Sequence, residues 1–493
     1  MFITQLRHGF SAHASRTAVE FETTRYRFSD LEMAADRIGA VLQAKGIEPG
    51  DRLALLIESK ELFLLTYLGT LWCGAVPIPL NPGFKVPEVT YFVRDSGAAL
   101  LVHDASSEAV ARPVSQSCAC LRGTVAARDL TTTSPPGAIR SFDPQPEDPA
   151  LMLYSSGTTG EPKGVVHTQS NLLSSVRSII DAWRFSPDDL LAHVLPLFHI
   201  HGLSFAAHVS LLAGSCMLIE DSFHPTRTLD LIDRATVFMA VPPYYYAFLK
   251  RVEFRERAVG WQRLRLATCG SAPIRPEVLP ELEGILKRPV INRYGMTECH
   301  VLTSLPLGGP WPQGSVGPSL SGVEICVRTD SGSRSAVDEV GRVWARGPNL
   351  FREYWRRPEA TRESFDENGW FDTGDLGRLE SRGYLTLVGR NKDLIIVGGF
   401  NVYPAVVERV LGECPGVREV AVVGIPDAAR GERVAAFIVP DTPHLDTKLV
   451  RAFCRDRLVD YQCPSCIELV DELPRNAMGK VLKRELRQRR QAP

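Results

Sequence analysis

The sequence predicts an α/β fold: a large N-terminal domain of two α/β subdomains plus a small β-barrel-like subdomain, joined to a small α+β C-terminal domain. Three observations carry this. Residues 62–84 and 202–219 are charge-free runs, long enough to raise the question of membrane helices. Glycine interrupts both, and the first ends in Pro77, Pro79, Asn81 and Pro82, so each reads as a buried helix, a glycine turn and a buried strand. Helical and strand patterns alternate to about residue 300, as in largely parallel sheets, and the texture then changes to short strands.

In chain order, residues 17–21 and 25–28 form a strand pair, and Ser29 opens an amphipathic helix through Leu42. Ser29 with Glu32 three residues on has the capping-box pattern. Pro49-Gly50-Asp51-Arg52 turns into an apolar strand over 53–57. Residues 111–146, rich in Ser, Thr and Pro, predict a surface excursion. Residues 316–387 carry Gly-Val, Asp-Glu-Val-Gly and Arg-Gly-Pro turns between short strands, which predicts the barrel-like part. Residues 389–396 bridge to the last segment, whose basic end, 483–490, reads as a solvated helix face or tail.

A chain of 493 residues exceeds one domain, and a net charge of −1 gives no electrostatic case for nucleic acid or an anionic membrane. Eleven cysteines without a repeating spacing point to reduced thiols in the cytoplasm. Cys463 and Cys466 have redox spacing but lack thioredoxin-like surroundings. Residues 1–10 contain no apolar h-region, so no signal peptide is expected.

The densest chemistry lies in 154–164: Ser155, Ser156, Gly157, Thr158, Thr159, Gly160, Lys163 and Gly164. Free backbone N–H groups, hydroxyls and a point cation are what a polyphosphate needs. It is not the common P-loop, because Pro162 stands where that motif needs glycine and Gly164 where it needs Ser or Thr. Val165, Val166 and His167 then read as a strand rather than a helix start.

This loop resembles that of the adenylate-forming enzymes, the superfamily of acyl-CoA synthetases, luciferases and peptide-synthetase adenylation domains. Further motifs extend the resemblance over nearly the whole chain. It implies an N-terminal adenylation domain over 1–389, a hinge over 390–393 and a mobile C-terminal domain over 394–493. The implied reaction attacks the α-phosphate of ATP with a carboxylate, releases pyrophosphate and lets the thiol of coenzyme A displace AMP.

The resemblance also implies roles. Gly270, Ser271 and Ala272, before Pro273, wall the adenine and acyl sites. Tyr294 flanks adenine, Thr297 reaches the α-phosphate and Glu298 serves Mg²⁺, with Thr158 as a second metal residue. Asp375 accepts the ribose hydroxyls and Arg390 supports the same ribose. In Pro474-Arg475-Asn476-Ala477-Met478-Gly479-Lys480, Lys480 is the catalytic lysine that stabilises the α-phosphate and the attacking carboxylate. Lys392 is the hinge, and Gly398, Gly399 and Phe400 line the coenzyme A channel. Gln462 departs from the family, where many relatives carry lysine after the tyrosine.

His199 is implied to border the acyl pocket and to take part in catalysis. His199 and His201, two apart, have no third ligand suitably spaced for a metal. Arg293 stands where many relatives have glycine. It reads either as an exposed arginine paired with a nearby carboxylate or, because 291–298, 238–242 and 199–203 resemble malonyl-CoA synthetases, as the residue that meets a distal substrate carboxylate. Ser271 joins it as a substrate residue. The expected enzyme is an ATP-, Mg²⁺- and coenzyme A-dependent ligase for a small carboxylic acid, malonate or methylmalonate; the alternative is a short- or medium-chain fatty acid or an aryl acid. No nucleic acid and no membrane span are expected, and a homodimer is left open.

Overall fold

The structure, a computed structural model, describes residues 1–155, 162–275, 277–398, 400–427, 430–441, 445–476 and 479–490. An eight-stranded sheet runs in the spatial order His300–Ser304, Val290–Met296, Leu266–Cys269, Val237–Ala240, Leu190–His193, Cys216–Ile219, Thr17–Glu20, Arg25–Arg27. Its internal pairings are parallel and only the two edge pairings are antiparallel. A second sheet, Val76–Pro79, Arg52–Leu56, Leu100–His103, Gly123–Ala126, is parallel throughout. Helices cover these strands, which explains why their sequences read as apolar runs rather than alternations.

Both charge-free runs fold as helix, glycine turn and strand. The first is the helix Lys60–Trp72, capped by the Ser59 hydroxyl, followed by Val76–Pro79. The second is a π-helical segment His201–His208 continued by Val209–Ala213, then Cys216–Ile219. Among the described residues no helix is long and apolar enough to cross a membrane.

The structure corrects several local expectations. The first long helix is Phe28–Ala44, and its N-cap is Arg27, whose backbone N–H donates to Asp30 Oδ2 at 2.8 Å. Ser29 and Glu32 therefore do not form the cap: Phe28 is buried in the core and begins the helix two residues ahead of that pattern. The 111–146 stretch is only partly an excursion, since Glu108–Ser117, Gly123–Ala126 and Ala127–Thr132 are regular, with Val125 and Leu130 buried. The barrel-like part is an open four-stranded antiparallel sheet, Glu324–Arg328, Gly341–Arg346, Phe371–Leu379, Leu385–Arg390, and no barrel closes. A separate antiparallel sheet, Pro149–Ser155, Lys163–Thr168, Glu353–Tyr354, carries the flanks of the phosphate loop.

The C-terminal part is built on Val417–Asp427 and Gly431–Pro440, with Ile395–Val397, Phe400–Val402 and Cys466–Leu469 completing the sheet. Alternate residues are buried on opposite faces. Val422, Val434, Ala436 and Ile438 meet Val407, Leu411 and Val450 of two helices. Ala421, Val423, Ala435 and Phe437 meet Leu473 and Leu486 on the other side. The basic end is thus a packed helix, Lys483–Arg489, rather than a free tail. Lys483 pairs with Glu408 at 2.6 Å, Arg487 with Asp393 at 2.8 Å and Arg490 with Glu468 at 2.6 Å.

Candidate functional site

In an open parallel sheet, sites form beyond the carboxyl ends of the strands. Here Leu190–His193 leads into His199 and His201, Leu266–Cys269 into Gly270 and Ser271, and Val290–Met296 into Thr297 and Glu298. Arg293, on the last of these strands, is 3% exposed. Its guanidinium lies 4.8 Å from the centre of the Phe205 ring, and its Nη2 reaches Ser271 Oγ at 3.4 Å. Its Nε has no hydrogen-bond partner, and among the described residues no carboxylate pairs with it. The exposed, paired arginine is therefore not what the fold contains. Burial pushes the Arg293 pKa down to about 10, which leaves it charged at neutral pH.

Gly270 permits this arrangement, since a Cβ there would lie 2.5 Å from Arg293 Nε. Ser271 holds a positive φ of 68° and its hydroxyl hydrogen-bonds with His201 Nδ1 at 3.0 Å. His199 accepts the His201 N–H on Nδ1 at 3.3 Å. Burial, then the positive Arg293 and Lys480, press the His199 pKa down to about 4, so its ring is neutral. Ala272 follows Ser271 in the same loop and is half-buried.

A second cluster gathers the residues expected around a nucleotide. The Tyr294 hydroxyl donates to Asp375 Oδ2 at 2.6 Å, and Arg390 Nε meets Asp375 Oδ1 at 3.1 Å. Asp375 and Arg390 are register partners on adjacent strands, which fixes that pair. Lys480 comes in from the C-terminal domain, its N–H held by Asn476 Oδ1 at 2.9 Å. Burial and then Arg390 lower its pKa to about 8, with Asp375 opposing. Lys392, in the short 3₁₀ turn Asn391–Asp393, is lowered by burial and then by Arg390.

A third cluster surrounds Glu298, which is 6% exposed. Tyr354 donates its hydroxyl to Glu298 Oε1 at 3.1 Å, and Lys163 Nζ sits 4.8 Å from the centre of the Tyr354 ring. Burial raises the Glu298 pKa, while its own amide, Tyr354, Arg390 and Ser155 oppose the rise. Carboxylate and hydroxyl oxygens form a hard donor set that suits Mg²⁺, an ion bound through one or two carboxylates plus substrate phosphates. Ser155 ends one flank of the phosphate loop and Lys163 opens the other, paired in register. Ser156, Gly157, Thr158, Thr159 and Gly160 lie outside the described residues, as does Gly399.

The expected channel residues Gly398 and Phe400 sit elsewhere, on the surface of the C-terminal domain. Phe400 is 58% exposed and stacks on Tyr461 with ring centroids 4.7 Å apart. Sequence reasoning missed three residues at the site. His201 stands out in the sequence by its spacing from His199 and as part of 199–203, Phe205 is one more apolar residue of a buried run, and Tyr354 carries no local signal.

The chain as a whole is similar to known families and structures. The model of the AMP-binding enzyme family matches residues 6–355, and that of the AMP-binding enzyme C-terminal domain matches 406–480. The malonate–CoA ligase of Arabidopsis thaliana is 31% identical over 529 residues, covering 97% of this chain and 86% of that one. The long-chain-fatty-acid–CoA ligase FadD13 of Mycobacterium tuberculosis is 35% identical over 481 residues, covering 94% and 93%. The ATP-bound crystal structure of MatB from Rhodopseudomonas palustris superposes with a TM-score of 0.94 at 35% identity, covering 100% of this chain and 99% of that one.

Proposed function

We infer the acid from one premise: the chain belongs to the AMP-binding enzyme family, as an AMP-forming acyl-CoA ligase that uses ATP, Mg²⁺ and coenzyme A. Its acid is a small dicarboxylate, malonate or methylmalonate. The observation that carries this is Arg293, a buried cation that meets Ser271 and Phe205 and, among the described residues, no carboxylate. A guanidinium takes a carboxylate through two parallel N–H donors. A monocarboxylic acid would leave that cation desolvated and unpaired, at a cost of about 2 to 5 kcal/mol. The malonate–CoA ligase relative supports the reading, while FadD13 shows that chains equally similar act on other acids.

In this reading the reacting carboxylate points from the Arg293 pocket toward Lys480, past the neutral His199. Lys480 and Thr297 stabilise charge at the α-phosphate. Tyr294 stacks on adenine, Asp375 and Arg390 hold the ribose, and Lys163 with the phosphate-loop hydroxyls holds the departing pyrophosphate. Glu298 is the residue that would hold Mg²⁺, an ion that would supply positive charge to the phosphates. Rotation about Lys392 then withdraws Lys480 and brings Gly398 and Phe400 to the channel for coenzyme A. The domain limits 1–389 and 394–493 belong to the same proposal, and eleven unpaired cysteines support a reducing, cytoplasmic setting.

The test is AMP formation with coenzyme A across a panel of acids. Arg293→Ala is expected to lower kcat/KM for malonate by at least about a hundredfold while activity on propionate or butyrate stays level or rises. A wild-type preference for butyrate or an aryl acid would refute the dicarboxylate reading.

A further inference from the structure

The segment 351–355 touches both the loop that carries Lys163 and the turn that carries Glu298. The Phe351 N–H donates to the Glu298 carbonyl at 2.8 Å, and the Trp355 N–H donates to the Gly164 carbonyl at 2.7 Å. Tyr354 pairs with Val165 across the antiparallel ladder. Its side chain, 7% exposed and packed on Phe351 with ring centroids 4.7 Å apart, spans the gap between the two. The hydroxyl ends on Glu298 Oε1, and the face of the ring lies beneath the Lys163 ammonium.

We propose that Tyr354 is a positioning residue that couples the phosphate-loop lysine to the metal-binding carboxylate. A polyphosphate with its metal needs a cation on one side and a carboxylate on the other at a set separation. One rigid aromatic side chain, its hydroxyl on the carboxylate and its π-face under the cation, sets that separation. The bland account is that Tyr354 is a core tyrosine whose hydroxyl needs some partner. Two features exceed it: the partner is an ionisable group of the site, and the ring meets a second charged residue from a different loop. Partners that orient a metal-binding carboxylate contribute to metal affinity without touching the metal. The proposal rests on the assignment of Glu298 to Mg²⁺, and its test separates the two.

Mn²⁺ binding is measured by electron paramagnetic resonance with a non-hydrolysable ATP analogue present, on wild type, Tyr354→Phe, Tyr354→Leu and Glu298→Gln. Tyr354→Phe keeps the ring and its packing. It is expected to weaken Mn²⁺ binding about tenfold and to raise the half-saturating Mg²⁺ for pyrophosphate release in proportion, with kcat at saturating Mg²⁺ and acyl transfer from supplied acyl-adenylate to coenzyme A both retained. Tyr354→Leu, which also strips the ring from Lys163, is expected to raise KM for ATP as well. Unchanged Mn²⁺ binding in Tyr354→Phe alongside weakened binding in Glu298→Gln overturns the coupling alone. Unchanged binding in Glu298→Gln overturns the metal assignment and the coupling with it. Equal loss of both half-reactions with a lowered Tm assigns Tyr354 to packing only.

Discussion

Gly479 lies so close to Pro243 that a Cβ on it would stand 2.3 Å from the proline Cγ, and its φ is +75°. Pro243 belongs to the helix Pro242–Leu249 of the large domain, whereas Gly479 precedes Lys480 on the small one. Absence of a side chain at 479 is thus what lets the lysine loop dock.

Gly479→Ala should therefore disfavour this docked pose, through both the contact and the positive φ, which costs a non-glycine residue about 1 to 3 kcal/mol. Pyrophosphate release on mixing ATP and acid is expected to fall at least about tenfold. Conversion of supplied acyl-adenylate to acyl-CoA should be nearly unchanged, because the proposed rotation about Lys392 takes the second half-reaction out of this pose. Equal losses in both assays would mean that the contact does not govern the first half-reaction.

Lys480 should impose an alkaline limb. Burial and Arg390 disfavour its ammonium and set the pKa to about 8, so the cation is lost as pH rises through that value. For adenylation, kcat/KM, which reports the free enzyme, is expected to decline above about pH 8 in wild type. In Lys480→Arg the side chain stays charged, so the limb should vanish even though the rate is lower. Lys480→Ala should lose adenylation by about 3 to 4 kcal/mol and still form thioester from supplied acyl-adenylate. A limb that persists in Lys480→Arg would assign it to another group.

His208 predicts acid sensitivity of the fold. It is buried, hydrogen-bonds through Nε2 with the Tyr67 hydroxyl at 2.8 Å, and has its pKa lowered to about 3 by burial and then by His300. Below pH 6.5 the unfolded chain takes up a proton that the native ring refuses. Stability from this group is therefore complete above 6.5 and is lost as pH falls toward 3. Between pH 7 and 5 that is about 2 kcal/mol. Denaturant unfolding of His208→Gln, which cannot titrate, should lose less stability over this interval than wild type, by that amount. The same loss in both proteins would show that His208 is not the group responsible.

Much of the architecture was legible because it is local. A charge-free run interrupted by glycine reads as a buried helix followed by a buried strand, and both 62–84 and 202–219 fold so. The helix start lies two residues ahead of the one that Ser29 and Glu32 suggest, because Asp30 accepts the Arg27 N–H and burial of Phe28 begins the helix there. The barrel-like part was readable as short strands between turns, but their pairing and closure depend on which edges meet, which no single strand encodes.

The chain's chemistry, a phosphate-binding loop and a set of carboxylates and lysines in the order of an adenylate-forming ligase, was present in the sequence, because each motif is a short stretch with its own backbone and charge. The surroundings of Arg293 were not. From residues alone the arginine could be exposed and paired with a carboxylate or meet a substrate carboxylate, since its surroundings come from Phe205 of the π-helical segment and Ser271 of the loop after Leu266–Cys269. The same holds for Tyr354 beneath Lys163 and for Gly479 against Pro243. Burial and pairing are properties of neighbours brought from distant segments, so only the tertiary structure decides them.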